Sequence, residues 1–216
     1  DKKTLLDPEP VCDNLKSWCK SVIGGLHFFA RGVRWDIALA VSRTSQTLGN
    51  PTAGTVAQIE HIAGYLRNTS DFSLRGKLNP GKDEVLAFCD SSHRGDRHVT
   101  SKSMTGVVIC LNGVPIHWRS NRQPNTTMSP VESEIYALSK GLKDTRLMGW
   151  VLKELNVVVE WPLRLLTDSG GAMSFKSDAC PTSKIRGCFD FNQDWVEEIK
   201  TDKLISLEKV AEAVNL

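Results

Sequence analysis

Three apolar segments in the middle of the chain constrain its fold more than any other feature. "EVLAFCD" at 84–90, "TGVVICL" at 105–111 and "VPIHWRS" at 114–120 are short runs whose side chains alternate between two faces. This period of two is typical of β-strands, and the Asn-Gly pair at 112–113 is a strong signal for a tight hairpin turn. The pattern predicts an antiparallel meander of three strands.

A long helix and further strands follow the meander. Ser129 is a good N-cap, and Pro130 is favoured at the first helical position. Apolar residues then recur at helical spacing to about residue 155, and the predicted stripe is Ile135, Leu138, Leu142, Leu147, Val151 and Leu155. "WPLRLLTD" predicts a strand that ends on Asp168, and "KLISLEKV" predicts a last strand or extended segment. Two short helices, at 169–177 and 189–201, are expected between them. The order favours an α/β fold with a mixed sheet flanked by helices.

The upstream part of the chain has a different pattern. Between residues 13 and 67 apolar side chains recur every three or four positions, which predicts three amphipathic helices, the third capped by Thr52. In the first of these helices the expected apolar face is Trp18, Val22, Leu26 and Phe29. No catalytic cluster is evident there. The turn-rich "KLNPGKD" at 77–83 marks a boundary. We therefore expect a helical segment at 1–80 and a mixed-sheet domain at 81–216.

Composition excludes several classes of protein. The formal net charge of the 216 residues is only +2, so no overall basic field indicates nucleic acid. The six cysteines match neither a zinc-ribbon spacing nor a small disulfide scaffold, and we interpret them as reduced thiols. No signal peptide or membrane-spanning segment is expected, since "SVIGGLHFFA" is too short to cross a bilayer. An intracellular protein fits this pattern. Because the sequence begins with Asp1 rather than Met, we expect a fragment of a longer polypeptide.

Two predicted strands end on aspartates, Asp90 and Asp168. A third carboxylate from the long helix would complete an all-oxygen site of the kind that suits Mg²⁺ or Mn²⁺. Glu132 and Glu134 point in nearly opposite directions on a helix, so only one can face the sheet. Glu132 lies closer to the predicted apolar stripe and is our candidate. The alternative is a capping box in "SPVE", with Glu132 bonded to the backbone of Ser129, and aspartates that only turn the chain.

The same residues carry a resemblance to a known family. "LAFCDSSHRGDRHVTSKSMTGVVICLNGVPIHWRSNRQ", "MSPVESEIYALSKG" and "LLTDSGGAMSF" resemble the ribonuclease H domain of copia-type retrotransposon polyproteins. The upstream "SVIGGLHFFARGVRWDIALAVSRTSQTLGNPTAGTVAQIEHIAGYLRNTSDFSL" is similar to the C-terminal end of the reverse transcriptase in those polyproteins. The resemblance covers about residues 17 to 200 in the family order. The Asp-Asp motif of the polymerase is absent, so this piece is not expected to copy RNA.

The resemblance implies a ribonuclease H-like fold and a specific chemistry. It assigns Asp90, Glu132 and Asp168 as catalytic carboxylates that hold two Mg²⁺ or Mn²⁺ ions, and the expected reaction is hydrolysis of the RNA strand of RNA–DNA hybrids. The hybrid would be recognised by its backbone shape and 2′-hydroxyl groups rather than by its sequence. Weaker candidates for contacts with the nucleic acid are Ser91, Arg94, Arg119 and Asn121.

The chain departs from the family pattern near its C-terminus. Members usually carry a fourth acidic residue in a "LADIF"-like segment, and this sequence stops at "VNL". A usual histidine is matched by Cys188, while Asp190 keeps its place; Asp190 and Asp194 are candidate substitutes for the fourth ligand. Loss of one carboxylate would lower the affinity for metal and could abolish turnover with the fold intact.

Two other interpretations remain open. The chain could be a catalytically inactive, domesticated fragment of a transposon that serves as a structural subunit beside other proteins or RNA in a larger assembly. It could also be an integrase-like or resolvase-like member of the same superfamily of nucleases, although the spacing around Glu132 favours the copia type.

Overall fold

The computed structural model describes residues 10–76, 81, 83–93, 102–170 and 203–210. The chain divides into two compact units, Asp1–Leu74 and Arg75–Leu216. The short helices predicted at 169–177 and 189–201 lie almost wholly outside the described residues. Of the described helices, none combines the length and the apolar character needed to cross a bilayer.

The first unit is helical. It contains α1 (Asp13–Gly32), a 3₁₀ turn (Trp35–Ile37), α2 (Ala38–Ser45) and α3 (Ala53–Asn68). As predicted, α3 begins directly after Thr52, whose backbone N–H donates to Thr55 Oγ1 at 3.2 Å. The core of this unit is formed by side chains from all of these elements, namely Cys19, Ile23, Leu26, Ala30, Ile37, Val41, Ile59 and Ile62.

The buried face of α1 differs from the predicted one. Trp18 and Phe29 were expected inside, but they are 40% and 50% exposed. The neighbouring residues Cys19 and Ala30 are buried in their place. Small side chains let α1 approach its neighbours closely, and the bulky rings are displaced to the flank of the contact. The prediction that Trp18 and Phe29 belong to the buried face of α1 is therefore wrong.

The second unit contains one mixed sheet of five described strands. The elements are β1 (Val85–Ser92), β2 (Met104–Leu111), β3 (Val114–Arg122), α4 (Pro130–Glu154), β4 (Leu163–Thr167) and β5 (Ile205–Lys209). The strand order is β3-β2-β1-β4-β5. Strands β1 to β3 form the predicted antiparallel meander, while β4 pairs in parallel with both β1 and β5. The predicted α/β class with a mixed sheet is confirmed.

The turn between β2 and β3 explains their register. Asn112 has φ 50° and Gly113 has φ 80°, a left-handed pair that an Asn-Gly sequence adopts at low cost. This geometry matches the natural twist of a hairpin, so the two strands pair from Leu111 and Val114 outward.

Helix α4 packs on the sheet through small residues as well as large ones. Ile135, Leu138 and Leu142 contribute to the core as expected. Leu147, Val151 and Leu155, however, are 53%, 41% and 67% exposed, so the second half of the predicted stripe is wrong. The buried positions at this end of α4 include instead Gly141, Thr145 and Gly149. A Cβ on Gly141 would lie 2.8 Å from the Cβ of Cys89, so the helix and β1 are in close contact there.

Candidate active site

Asp90 lies near the carboxyl end of β1, which continues beyond the predicted end to Ser92, and Asp168 directly follows β4, the parallel neighbour of β1. The register of β1 and β4 pairs Phe88 with Leu166. Each aspartate stands two residues beyond this pair, so the same register brings them to one level of the sheet, where neighbouring strands are about 4.8 Å apart. Asp90 is exposed and Asp168 is partly exposed. The predicted pair of strand-end carboxylates therefore occupies one edge of the sheet.

The buried thiol of Cys89 precedes Asp90 on β1. Cys89 is 2% exposed. Burial raises the pKa of Cys89 to about 12, and the negative charges of Asp90 and Asp168 act in the same direction. Both aspartates thus contribute to the potential at one sulfur atom. Concentrated negative charge of this kind is what a bound cation would neutralise.

Helix α4 directs Glu134, not Glu132, toward the end of β4. The Glu134 carboxylate accepts a hydrogen bond from the hydroxyl of Ser169, the residue that follows Asp168. Ser169 is 8% exposed, so this contact is largely shielded from water.

Glu132 is engaged at the start of its own helix. Its Oε2 accepts from the backbone N–H of Met128 at 2.6 Å, and its own N–H donates to Ser129 Oγ at 3.1 Å. This is the capping-box alternative, except that the Glu132 carboxylate accepts from the backbone N–H of Met128 instead of that of Ser129. The choice of Glu132 depended on its closeness to Ile135 and Tyr136, and Ile135 is buried as that choice assumed. The assignment of Glu132 as a metal ligand stays a prediction.

Three of the four candidates for nucleic-acid contacts lie among the described residues. Ser91 Oγ lies 2.9 Å from Ser133 Oγ, and Arg119 Nε lies 2.9 Å from Asp144 Oδ2, so both side chains join the sheet to α4. Asn121 is exposed near the end of β3. Arg94 lies outside the described residues, as do Asp190 and Asp194.

A buried polar network lies beside these carboxylates, and sequence reasoning missed it. Gln123 is 1% exposed and Ser133 is 0% exposed. Gln123 Nε2 donates to Thr105 Oγ1 at 3.0 Å and to the Ser133 carbonyl oxygen at 3.0 Å. In the sequence Gln123 stands in a polar, proline-containing stretch, "SNRQPN", which is typical of a loop. Nothing in that stretch predicts burial.

Comparisons with known proteins found similar sequences in transposon polyproteins. No protein-family model matches it. The "Secreted RxLR effector protein 161" of Plasmopara viticola is 27% identical over 124 residues, which are 57% of this chain and 86% of that protein. The "Retrovirus-related Pol polyprotein from transposon TNT 1-94" of Nicotiana tabacum is 26% identical over 196 residues, which are 90% of this chain. The homologues of this chain include copia-type Pol polyproteins. This chain spans only 14% of the length of the tobacco polyprotein.

Solved structures that resemble this chain include RNase H structures. One is a crystal structure of LC11-RNase H1 in complex with an RNA/DNA hybrid. It is 17% identical, with a TM-score of 0.42, and the match covers 61% of this chain and 88% of that chain.

The chemical type of the donor atoms at this edge of the sheet suits a hard divalent cation. Asp90, Asp168 and Glu134 offer only carboxylate oxygens, the ligands that Mg²⁺ and Mn²⁺ prefer. In the part of the chain that the structure describes, however, no three acidic, histidine or cysteine side chains are already gathered closely enough to hold a metal ion. The contact with Ser169 engages Oε2, one of the two carboxylate oxygens of Glu134.

Proposed function

We propose that the second unit, Arg75–Leu216, is an RNase H-like domain that hydrolyses the RNA strand of RNA–DNA hybrids with Mg²⁺ or Mn²⁺ held by Asp90, Asp168 and Glu134. The observation that carries the proposal is the parallel register of β1 and β4, in which the two aspartates follow the Phe88–Leu166 pair by the same two residues. The contact between Glu134 and Ser169 adds a helix carboxylate beside them. The relationship to Pol polyproteins supports the same activity.

Each group in the proposed site has a separate task. The carboxylates hold the cations, and when bound these would supply the positive charge that activates water and stabilises the leaving oxygen. Rigid strands fix the two aspartates, so little reorganisation is needed at that edge. In this proposal Glu132 caps α4 and contacts no cation.

Substitution of neighbouring carboxylates tests the proposal. We expect Asp90→Asn, Asp168→Asn and Glu134→Gln each to lower cleavage of a labelled RNA–DNA hybrid by more than about 100-fold, because each removes a charge from the site. Glu132→Gln is the matched control, on the same helix and two residues from Glu134. It keeps an acceptor for Met128 N–H, so we expect its activity to stay within about threefold of the wild type.

Control substrates and chelation complete this experiment. Double-stranded RNA and DNA of the same sequence should not be cut, and EDTA should abolish cleavage of the hybrid. If Glu132→Gln abolishes cleavage and Glu134→Gln does not, the helix ligand is Glu132. If the folded wild type cuts no hybrid at millimolar Mg²⁺ or Mn²⁺, the inactive structural subunit is the better interpretation.

A further inference from the structure

The side chain of Gln123 is buried at a junction of three elements. It follows the last residue of β3 directly, and its backbone N–H donates to the carbonyl oxygen of Ser103 at 2.8 Å, next to the start of β2. Its side-chain amide reaches Thr105 of β2 and the carbonyl oxygen of Ser133 in the first turns of α4. One side chain thus ties the meander to the start of the helix that carries Glu134.

Ser133 passes this connection on to β1. Its hydroxyl donates to the carbonyl oxygen of Pro130 at 2.7 Å, so its single proton is used there. The hydroxyl of Ser91, 2.9 Å away, must therefore donate to Ser133 Oγ. Ser91 is the neighbour of Asp90 on β1. The chain of contacts from Gln123 therefore passes through Ser133, which precedes Glu134, and ends at Ser91, which follows Asp90.

The amide of Gln123 is not placed there for stability alone. Its nitrogen must face the Ser133 carbonyl oxygen, which can only accept. Its Oε1 is buried and finds no hydrogen-bond donor among the described residues. A buried acceptor without a donor carries a free-energy cost that an apolar side chain of the same size would avoid. What the apolar side chain could not do is hold the Ser133 carbonyl at a fixed point.

We infer that Gln123 is a positioning residue that holds the first turns of α4 against the end of β1 and so sets the place of Glu134 relative to Asp90. The inference rests on the proposed function of these carboxylates. Gln123 acts through the backbone of Ser133, which stands directly before Glu134, and it touches neither cation nor substrate. Loss of its amide leaves the helix formed but lets its first turns shift.

Three substitutions in the full chain test this role. Gln123→Met keeps the length of the side chain and removes the donor to Ser133, while Ser91→Ala removes the second link to the same residue. Thr145→Val is the control, since Thr145 is fully buried in α4 and donates to Gly141 O at 2.7 Å, outside the network. Native-state hydrogen exchange of the Glu132 and Ser133 amides and calorimetric titration with Mn²⁺ alone are measured for each variant, followed by cleavage as a function of Mg²⁺.

We expect Gln123→Met to speed exchange of these two amides at least tenfold and to weaken Mn²⁺ binding by about tenfold, the usual effect of removing a residue that orients a metal ligand. Ser91→Ala should act in the same direction, and Thr145→Val should change neither quantity. The Mg²⁺ concentration that gives half-maximal cleavage should rise. The value of kcat at saturating Mg²⁺ should fall by a smaller factor. Amide exchange and Mn²⁺ affinity like those of the wild type in Gln123→Met would overturn the inference. Absence of cleavage in every protein would count against the proposed function only, because amide exchange still reports on Gln123.

Discussion

Arg34 is a buried cation, and its charge is balanced by Asp36, two residues further along the chain. Its guanidinium donates to both carboxylate oxygens of Asp36, at 3.0 and 2.8 Å, and to Thr69 Oγ1 at 2.6 Å. The rings of Tyr65 and Phe72 lie 5.5 and 5.6 Å from it. An arginine that is 8% exposed needs all of these contacts, since an unpaired buried charge is very costly. This cluster joins the end of α1 to the end of α3.

The stability of this cluster should depend on pH in the acid range. The hydrogen bond from Arg34 holds the pKa of Asp36 below its usual value. Because the pKa is lower in the folded state, Asp36 stabilises the fold above its unfolded pKa, and this contribution is lost as the pH falls through the folded value. We expect Asp36→Asn to cost about 1 to 2 kcal/mol at pH 7 and to flatten the dependence of stability on pH below about 4. Urea denaturation between pH 7 and pH 3 measures this; equal slopes for the two proteins would contradict it.

At the scale of elements, the contact between α4 and the sheet depends on glycines. A Cβ on Gly149 would lie 2.7 Å from Leu163, and the one on Gly141 would meet Cys89. Such distances are shorter than normal carbon contacts, so any larger side chain pushes the helix away from the strands. The close contact in turn brings the first turns of α4 to the ends of β1 and β4.

Alanine substitutions of two glycines in different helices should therefore change the stability of the chain in opposite directions. Gly141→Ala should destabilise the chain by about 1 to 3 kcal/mol because it overpacks the contact with β1. Gly64→Ala is the matched control in α3, where an added Cβ meets nothing within 4 Å. It should stabilise the chain by about 0.5 to 1 kcal/mol through helix propensity. Thermal unfolding of both variants is the measurement, and a stabilising Gly141→Ala would show that the close contact is absent.

At the scale of the whole molecule, the described residues form two hydrophobic cores. One is formed by residues of the three upstream helices, and the other lies between α4 and the sheet; they share no described residue. Each core is therefore expected to determine the stability of its own unit.

Large-to-small substitutions in the two cores test this division. Ile59 is 1% exposed in the first core and Leu142 is 0% exposed in the second. Each change to alanine should cost about 2 to 5 kcal/mol through lost burial and a cavity. We expect Ile59→Ala to lower amide protection in α1 and α3, and Leu142→Ala to lower it in α4 and the sheet. Native-state hydrogen exchange followed by mass spectrometry distinguishes them. If Ile59→Ala loosened β1 and left α3 protected, the assignment of separate cores would be wrong.

Local patterns in the sequence were sufficient for the described elements and their order. Alternation from Val85 to Leu111, the Asn112-Gly113 turn and the Ser129-Pro130 helix start depend on neighbours in the chain, so the meander and α4 could be predicted. The two strand-end aspartates followed from the same patterns. Their meeting at one edge needs only that β1 and β4 are parallel neighbours.

Only the tertiary structure decided which side chains face inward and which carboxylate of α4 reaches the sheet. Periodicity counts large apolar residues, and it therefore favoured Trp18 and Leu147 for burial and Glu132 for the site. Close packing instead selected small residues such as Gly141 and Gly149, which turned α4 so that Glu134 faces Ser169. The burial of Gln123 has the same origin, since its partners come from β2 and α4. Contacts between residues far apart in sequence leave no local pattern, and for that reason the sequence alone does not contain a readable signal for them.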